Sequence, residues 1–119
     1  MEELNIIYAF NSSVVWSSFT WEYITQPFID NDVVCVFNGE IYNYKEFGNY
    51  KSDGECIIDL YKNYGLEFAK KLDGEFAICI VDFKKSHLIL VNDTFATKPL
   101  WIGSDRDWET LNHNFYKDL

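Results

Sequence analysis

The chain has 119 residues, of which 48% are hydrophobic and 18% aromatic, and a formal net charge of −9. That length suits one domain around one core and is too short for a second catalytic domain. The acidic balance, with a single arginine at Arg106, argues against nucleic-acid or anionic-membrane binding, since both need a basic footprint.

Taken in chain order, residues 4–10 are apolar and β-prone, and Asn11-Ser12-Ser13 punctuates them. Residues 14–16 and 19–24 are short strand candidates, rich in aromatic and β-branched side chains. Gln26-Pro27 and Asp30-Asn31-Asp32 read as turns. Residues 33–37 read as a strand that is apolar on both faces, the pattern of a strand covered on both sides. It runs straight into Asn38-Gly39-Glu40, which places an amide, a bare glycine N–H and a carboxylate at a strand end. Such a group can hold a developing oxyanion and an ammonium together; the plain alternative is a turn dipeptide.

Residues 44–50 form a polar connection. Ser52-Asp53-Gly54-Glu55 then matches a capping box, with Ser52 and Glu55 each reaching the other's backbone N–H. Ile57, Leu60, Tyr61, Tyr64 and Phe68 follow at helical spacing, so an amphipathic helix is expected, ended by Gly65 before a second short helix. Asp73-Gly74 reads as a turn and residues 75–83 as a second long apolar strand. Lys84-Lys85-Ser86 reads as a hairpin turn, residues 87–91 as the return strand, and residues 100–102 as a last short strand. Two apolar strands separated by helices predict stacked layers with a buried sheet.

Cys35, Cys56 and Cys79 each sit in an apolar run without metal-ligand spacing, as expected for buried reduced thiols in a cytoplasmic protein. No segment has the length of a membrane span, and the start lacks signal-peptide character. His87 and His113 have no partner at metal or triad spacing and read as solvated. Lys98 is expected to satisfy a local carboxylate such as Asp93.

Five blocks carry a family resemblance: Gln26-Pro27-Phe28, Asn38-Gly39-Glu40-Ile41-Tyr42-Asn43-Tyr44, Ser52-Asp53-Gly54-Glu55, Leu72-Asp73-Gly74-Glu75-Phe76-Ala77, and Asp93-Thr94-Phe95-Ala96-Thr97-Lys98-Pro99-Leu100. In this order and spacing, over residues 26–102, they resemble the class II glutamine amidotransferase domain of asparagine synthetases. The resemblance implies an α+β, N-terminal-nucleophile (Ntn) hydrolase-like fold, an αββα sandwich of antiparallel sheets, here N-terminally shortened. It implies a single type-2-like amidotransferase domain over residues 1–119, without the synthetase half. It also implies a ligand that is glutamine or a related amino acid, no cofactor or metal, and room for a separate synthetase subunit as partner.

By the same resemblance, Asn38 and Gly39 are the oxyanion donors, and Glu40 and Asp53 face the substrate's ammonium group. Plainer readings stay open: Asp53 as a charge favoured at a helix start, and Glu40 as a loop carboxylate. The departures are equally specific. The family begins methionine-cysteine-glycine and uses that cysteine as nucleophile, whereas Glu2 follows Met1 here. The family's carboxylate-clamping arginine has no counterpart before Arg106. In its R-D-x-x-G-x-K-P-L turn, the arginine and glycine positions hold Asn92 and Ala96. Loss of a nucleophile costs on the order of 10⁶ in turnover in other hydrolases. The expectation is therefore a hydrolysis-deficient pseudoenzyme that keeps part of the glutamine pocket. Two alternatives stand beside it: a stand-alone glutaminase whose nucleophile is exposed by processing, for instance at Ser12 or Ser13, feeding ammonia to a separate synthetase; and a structural or assembly domain with an empty pocket.

Overall fold

The computed structural model describes residues 26–98, 100–104, 107–110 and 115–118. The strand candidates at 4–10, 14–16 and 19–24, together with Ser12, Ser13, Arg106 and His113, lie outside the described residues.

The apolar run beginning at Val33 forms strand β2 (Val33–Ile41), the spine of the fold. It is longer than the residues predict on their own. Asn38, Gly39 and Glu40 do not end the strand but continue it, because β3 (Gly74–Asp82) pairs with β2 over all nine residues, from Val33↔Asp82 to Ile41↔Gly74. The plain reading of Asn38-Gly39 as a turn is thereby corrected: a full ladder outweighs the turn preference of the dipeptide. Strand β1 (Phe28–Asp30) pairs with the start of β2, and β4 (His87–Asn92) and β7 (Phe115–Asp118) extend the other side. The sheet is antiparallel throughout, in the order β1-β2-β3-β4-β7. β5 (Trp101–Ser104) and β6 (Asp107–Thr110) form a separate two-stranded ladder.

Helix α1 (Cys56–Tyr64) follows a 3-10 turn at Asp53–Glu55. The capping box is present: Glu55 Oε2 accepts the Ser52 N–H at 3.4 Å and the Lys51 N–H at 2.8 Å. α1 ends where Gly65 adopts φ 62°, and a 3-10 helix (Gly65–Lys71) takes the place of the second short helix.

α1 lies on one face of the sheet, where Phe37, Ile78, Ile80, Ile89 and Val91 meet Ile57, Leu60, Tyr61 and Phe68. The opposite face is also buried, through Val36, Ala77, Cys79, Val81, Leu88 and Leu90, with Leu100 packed among them. Both faces of β2 are thus covered, as its apolar run predicts. A five-stranded antiparallel sheet with a helix on one face and a second buried face is the expected α+β arrangement. No helix of the described residues is long and apolar enough to cross a membrane.

All three cysteines are buried and free. His87 is not solvated as expected. It pairs across the ladder with Asp118, its ring lies 4.8 Å from that of Tyr116, and its Nε2 is 3.3 Å from Asp118 Oδ1. The partner comes from β7, a strand that the sequence pattern does not announce.

Candidate functional site

Side chains alternate along β2. Val33, Cys35, Phe37 and Ile41 face α1, so Asn38 and Glu40, sharing the parity of Val36, face the opposite side. There Glu40 stands directly across from Glu75, and Asn38 across from Ala77.

The backbone polarity also alternates. On the outer edge of β2, beyond the end of β1, the N–H of Phe37 donates to Gln26 Oε1 at 2.8 Å, and Gln26 Nε2 returns a bond to the Phe37 carbonyl at 2.9 Å. Two ladder steps further, the Ile41 N–H donates to Asp53 Oδ2 at 2.8 Å. Gly39 lies between them. Its cross-strand neighbour Phe76 directs its own N–H and C=O away from β2, toward Asp93. The Gly39 N–H therefore points outward on the same edge as those of Phe37 and Ile41.

Only glycine fits there. Its φ is 131°, and a Cβ would sit 2.0 Å from the Glu75 carbonyl oxygen. Together these features place the Asn38 side chain, the Gly39 N–H, Glu40 and Asp53 around one corner of the sheet, where the outer edge of β2 meets its second face.

Asp53 is half-buried at the entry to α1. Its Oδ1 accepts the Gly54 N–H at 3.0 Å, so each oxygen takes one backbone donor. Burial pushes its carboxyl above the ordinary value and nearby Glu40 adds to the push, while the Ile41 and Gly54 amides pull the other way. Asp53 is thus more than a charge at a helix start: it ties that start to the signature strand. Tyr42 is exposed, and partial desolvation, followed by the carboxylates of Glu75, Glu40, Asp73 and Asp93, raises its phenol. This end of the sheet is a negatively charged corner.

Three supporting residues carry roles that spacing alone does not reveal. Gln26 completes the β2 edge with its side chain. Asn43 clamps the end of the signature, its Nδ2 donating to the Lys71 carbonyl at 2.9 Å and its Oδ1 accepting the Asp73 N–H at 2.8 Å. Asp93, buried, is held by backbone amides and the Thr97 hydroxyl rather than by Lys98. The signal for each was a matched sequence block; the bond each makes depends on a partner 11 to 30 residues distant.

A cavity of about 470 Å³ opens at this end of the sheet beside Gly74, Phe76, Asn92 and Asp93; Asn38, Glu40 and Asp53 do not line it. Among the described residues, no group of three or more His, Cys, Asp or Glu is arranged to hold a metal ion.

Fold and signature together define a class. The model of the glutamine amidotransferase domain family matches residues 17–112, and the chain belongs to that family. Within it the chain is of the asparagine synthetase type. It is 41% identical over 86 residues to glutamine-hydrolyzing asparagine synthetase 2 of Bacillus subtilis, covering 64% of this chain and 12% of that protein. It is 40% identical over 82 residues to asparagine synthetase 2 of Oryza sativa (62% and 14%). It is 38% identical over 89 residues to the amidase chry2 of Gibberella zeae (64% and 13%). The chain thus spans a small fraction of the length of these relatives.

Proposed function

We propose that residues 1–119 form one amidotransferase-type domain that binds glutamine at the Asn38–Glu40 corner and does not by itself hydrolyse it. The outward Gly39 N–H, set between two edge amides already held by Gln26 and Asp53, carries this reading. An amide oxygen placed there meets one backbone donor, with the Asn38 amide beside it. Glu40 and Asp53 supply negative charge for the ammonium group of an amino acid.

Hydrolysis needs a nucleophile as well. The thiols of the described residues are poor candidates. Cys56 Sγ, nearest to Asp53, donates to the Asp53 carbonyl at 3.1 Å, and burial pushes its pKa up to about 12. Burial likewise pushes Cys79 up to about 12 and raises Cys35 well above the usual thiol value. Protonated, inaccessible thiols do not attack carbonyls. A synthetase on a separate chain is the partner that this domain would serve.

Calorimetric titration with L-glutamine, paired with a glutamate-release assay on the same sample, tests this. Saturable binding without glutamate is expected. Glutamate release together with a new N-terminal Cys, Ser or Thr would establish a processed glutaminase instead, and absence of binding would favour an assembly domain with an empty pocket.

A further inference from the structure

The strand-end at Asp93 is built in an unusual way, and it lies across β3 from the signature strand. Ala77↔Asn92 is the last pair of the β3–β4 ladder. One step further, the Asp93 N–H still donates to the Phe76 carbonyl at 3.0 Å, as a ladder residue would. The reciprocal bond is changed. The Asp93 carbonyl turns away to accept the Ala96 N–H at 2.8 Å, and the Asp93 carboxylate takes its place, with Oδ1 accepting the Phe76 N–H at 3.1 Å.

The same carboxylate gathers the loop beyond. Thr97 donates through its N–H to Oδ1 at 3.1 Å and through its hydroxyl to Oδ2 at 2.9 Å, and the Phe95 N–H reaches Oδ2 at 3.2 Å. One side chain thus lets β4 leave the sheet while both polar groups of Phe76 stay occupied. Phe76 is the residue directly opposite Gly39.

We propose that Asp93 is a positioning residue for the Asn38-Gly39 donor pair. By holding the N–H and C=O of Phe76 on the β4 side, it keeps β3 in the setting that turns the Gly39 N–H out of the sheet. The fit at Gly39 is close: the Glu75 carbonyl, one residue from Phe76, fills the space where a Gly39 side chain would sit. A small movement of Phe76 is therefore transmitted to Gly39 rather than absorbed. The inference rests on the reading of Asn38 and Gly39 as donors to a substrate oxygen.

The test uses the full chain, ¹⁵N-labelled, as wild type, Asp93→Asn and Thr97→Val. Asp93→Asn keeps the shape of the side chain but replaces one acceptor oxygen with an NH2 donor. Thr97→Val removes one donor to Oδ2 and leaves the Phe76 bonds alone. In ligand-free protein, Asp93→Asn moves the Gly39 and Phe76 amide resonances, while Thr97→Val leaves them at their wild-type positions. With L-glutamine added, Asp93→Asn binds about tenfold more weakly, the size expected for one lost charge-assisted bond, and Thr97→Val binds like wild type. Should Asp93→Asn not fold, Asp93→Glu, which keeps the acceptors one methylene out of place, makes the same comparison.

A folded Asp93 variant with an unmoved Gly39 resonance, whether or not that of Phe76 moves with the loss of its direct bond, overturns the proposal whatever the wild type binds. A moved Gly39 resonance in a protein whose wild type ignores glutamine supports the backbone positioning and overturns the donor reading on which it rests.

Discussion

The two ends of the central sheet treat their polar groups in opposite ways. At the end formed by the β1–β2 and β3–β4 turns, the buried carboxylate is held by neutral donors. β1 completes the ladder at Val33, Asp82 is 4% exposed, and its carboxylate accepts the Tyr61 hydroxyl at 2.8 Å and the Lys85 N–H at 3.1 Å. At the signature end, β1 stops short, side chains of Gln26 and Asp53 stand in for a strand, and Glu40 faces Glu75 across the ladder. Like charges directly opposite each other weaken a sheet. The comparison separates an end whose buried carboxylate is held by neutral donors from an end that keeps a backbone N–H and negative charge on its outer edge.

The most disruptive way to break the contrast is Gly39→Ala. The new methyl meets the Glu75 carbonyl in a backbone conformation hostile to side chains, so a loss of about 3 kcal/mol or more is expected in urea unfolding, with glutamine binding abolished. At the opposite end, Tyr61→Phe strips a buried carboxylate of its hydroxyl partner. A loss of about 1–3 kcal/mol is expected, with glutamine affinity unchanged; an altered affinity would show that the two ends are coupled.

Acid sharpens the comparison further. Burial alone would raise Asp82 and Asp93, but hydrogen bonds from Tyr61 and Lys85, and from Phe76, Thr97 and Phe95, hold both carboxyls below their ordinary value. Such groups stabilise the fold above the unfolded value of about 4, and that stability is lost as pH falls through the lower folded values. Asp53 is raised, so its ionisation opposes folding, and that penalty is relieved as pH drops from its raised value toward about 4. Thermal midpoints should therefore hold down to about pH 4 and fall below it, and Tyr61→Phe should flatten the fall. The smallest effect is expected from Glu75→Gln. Removing one of two facing carboxylates should stabilise the protein by about 0.5 kcal/mol, and a loss of stability would mean that Glu75 has an attractive partner.

Much of this was legible from residues, and the failures share a cause. The capping box at Ser52 and Glu55, the helix that follows and the apolar face pattern of β2 are local, and each formed as its pattern predicts. The blocks around Asn38 and Asp53 identified the family. The strands at Phe28–Asp30, Asp107–Thr110 and Phe115–Asp118 were missed because segments of three or four residues carry too little periodicity and are strands only through their partners. The extension of β2 through Asn38-Gly39-Glu40 was missed because the dipeptide's own preference is a turn, overridden by pairing with residues 74–77. For the site, residue types suggested the donors, but only the polarity of Phe76 across the ladder shows which way the Gly39 N–H points.

The edge of β2 has one more consequence, for behaviour in a crowded solution. β2 is long, apolar on both faces from Val33 to Phe37 and, among the described residues, bordered on this edge by the three residues of β1, a combination that ordinarily invites strands from other molecules to add on. The Gln26 amide occupies both hydrogen-bonding positions of Phe37, and the Asp53 carboxylate covers the next held position with a negative charge. Among the described residues, these two side chains occupy edge positions that an incoming strand would need for pairing, one on each side of the outward Gly39 N–H.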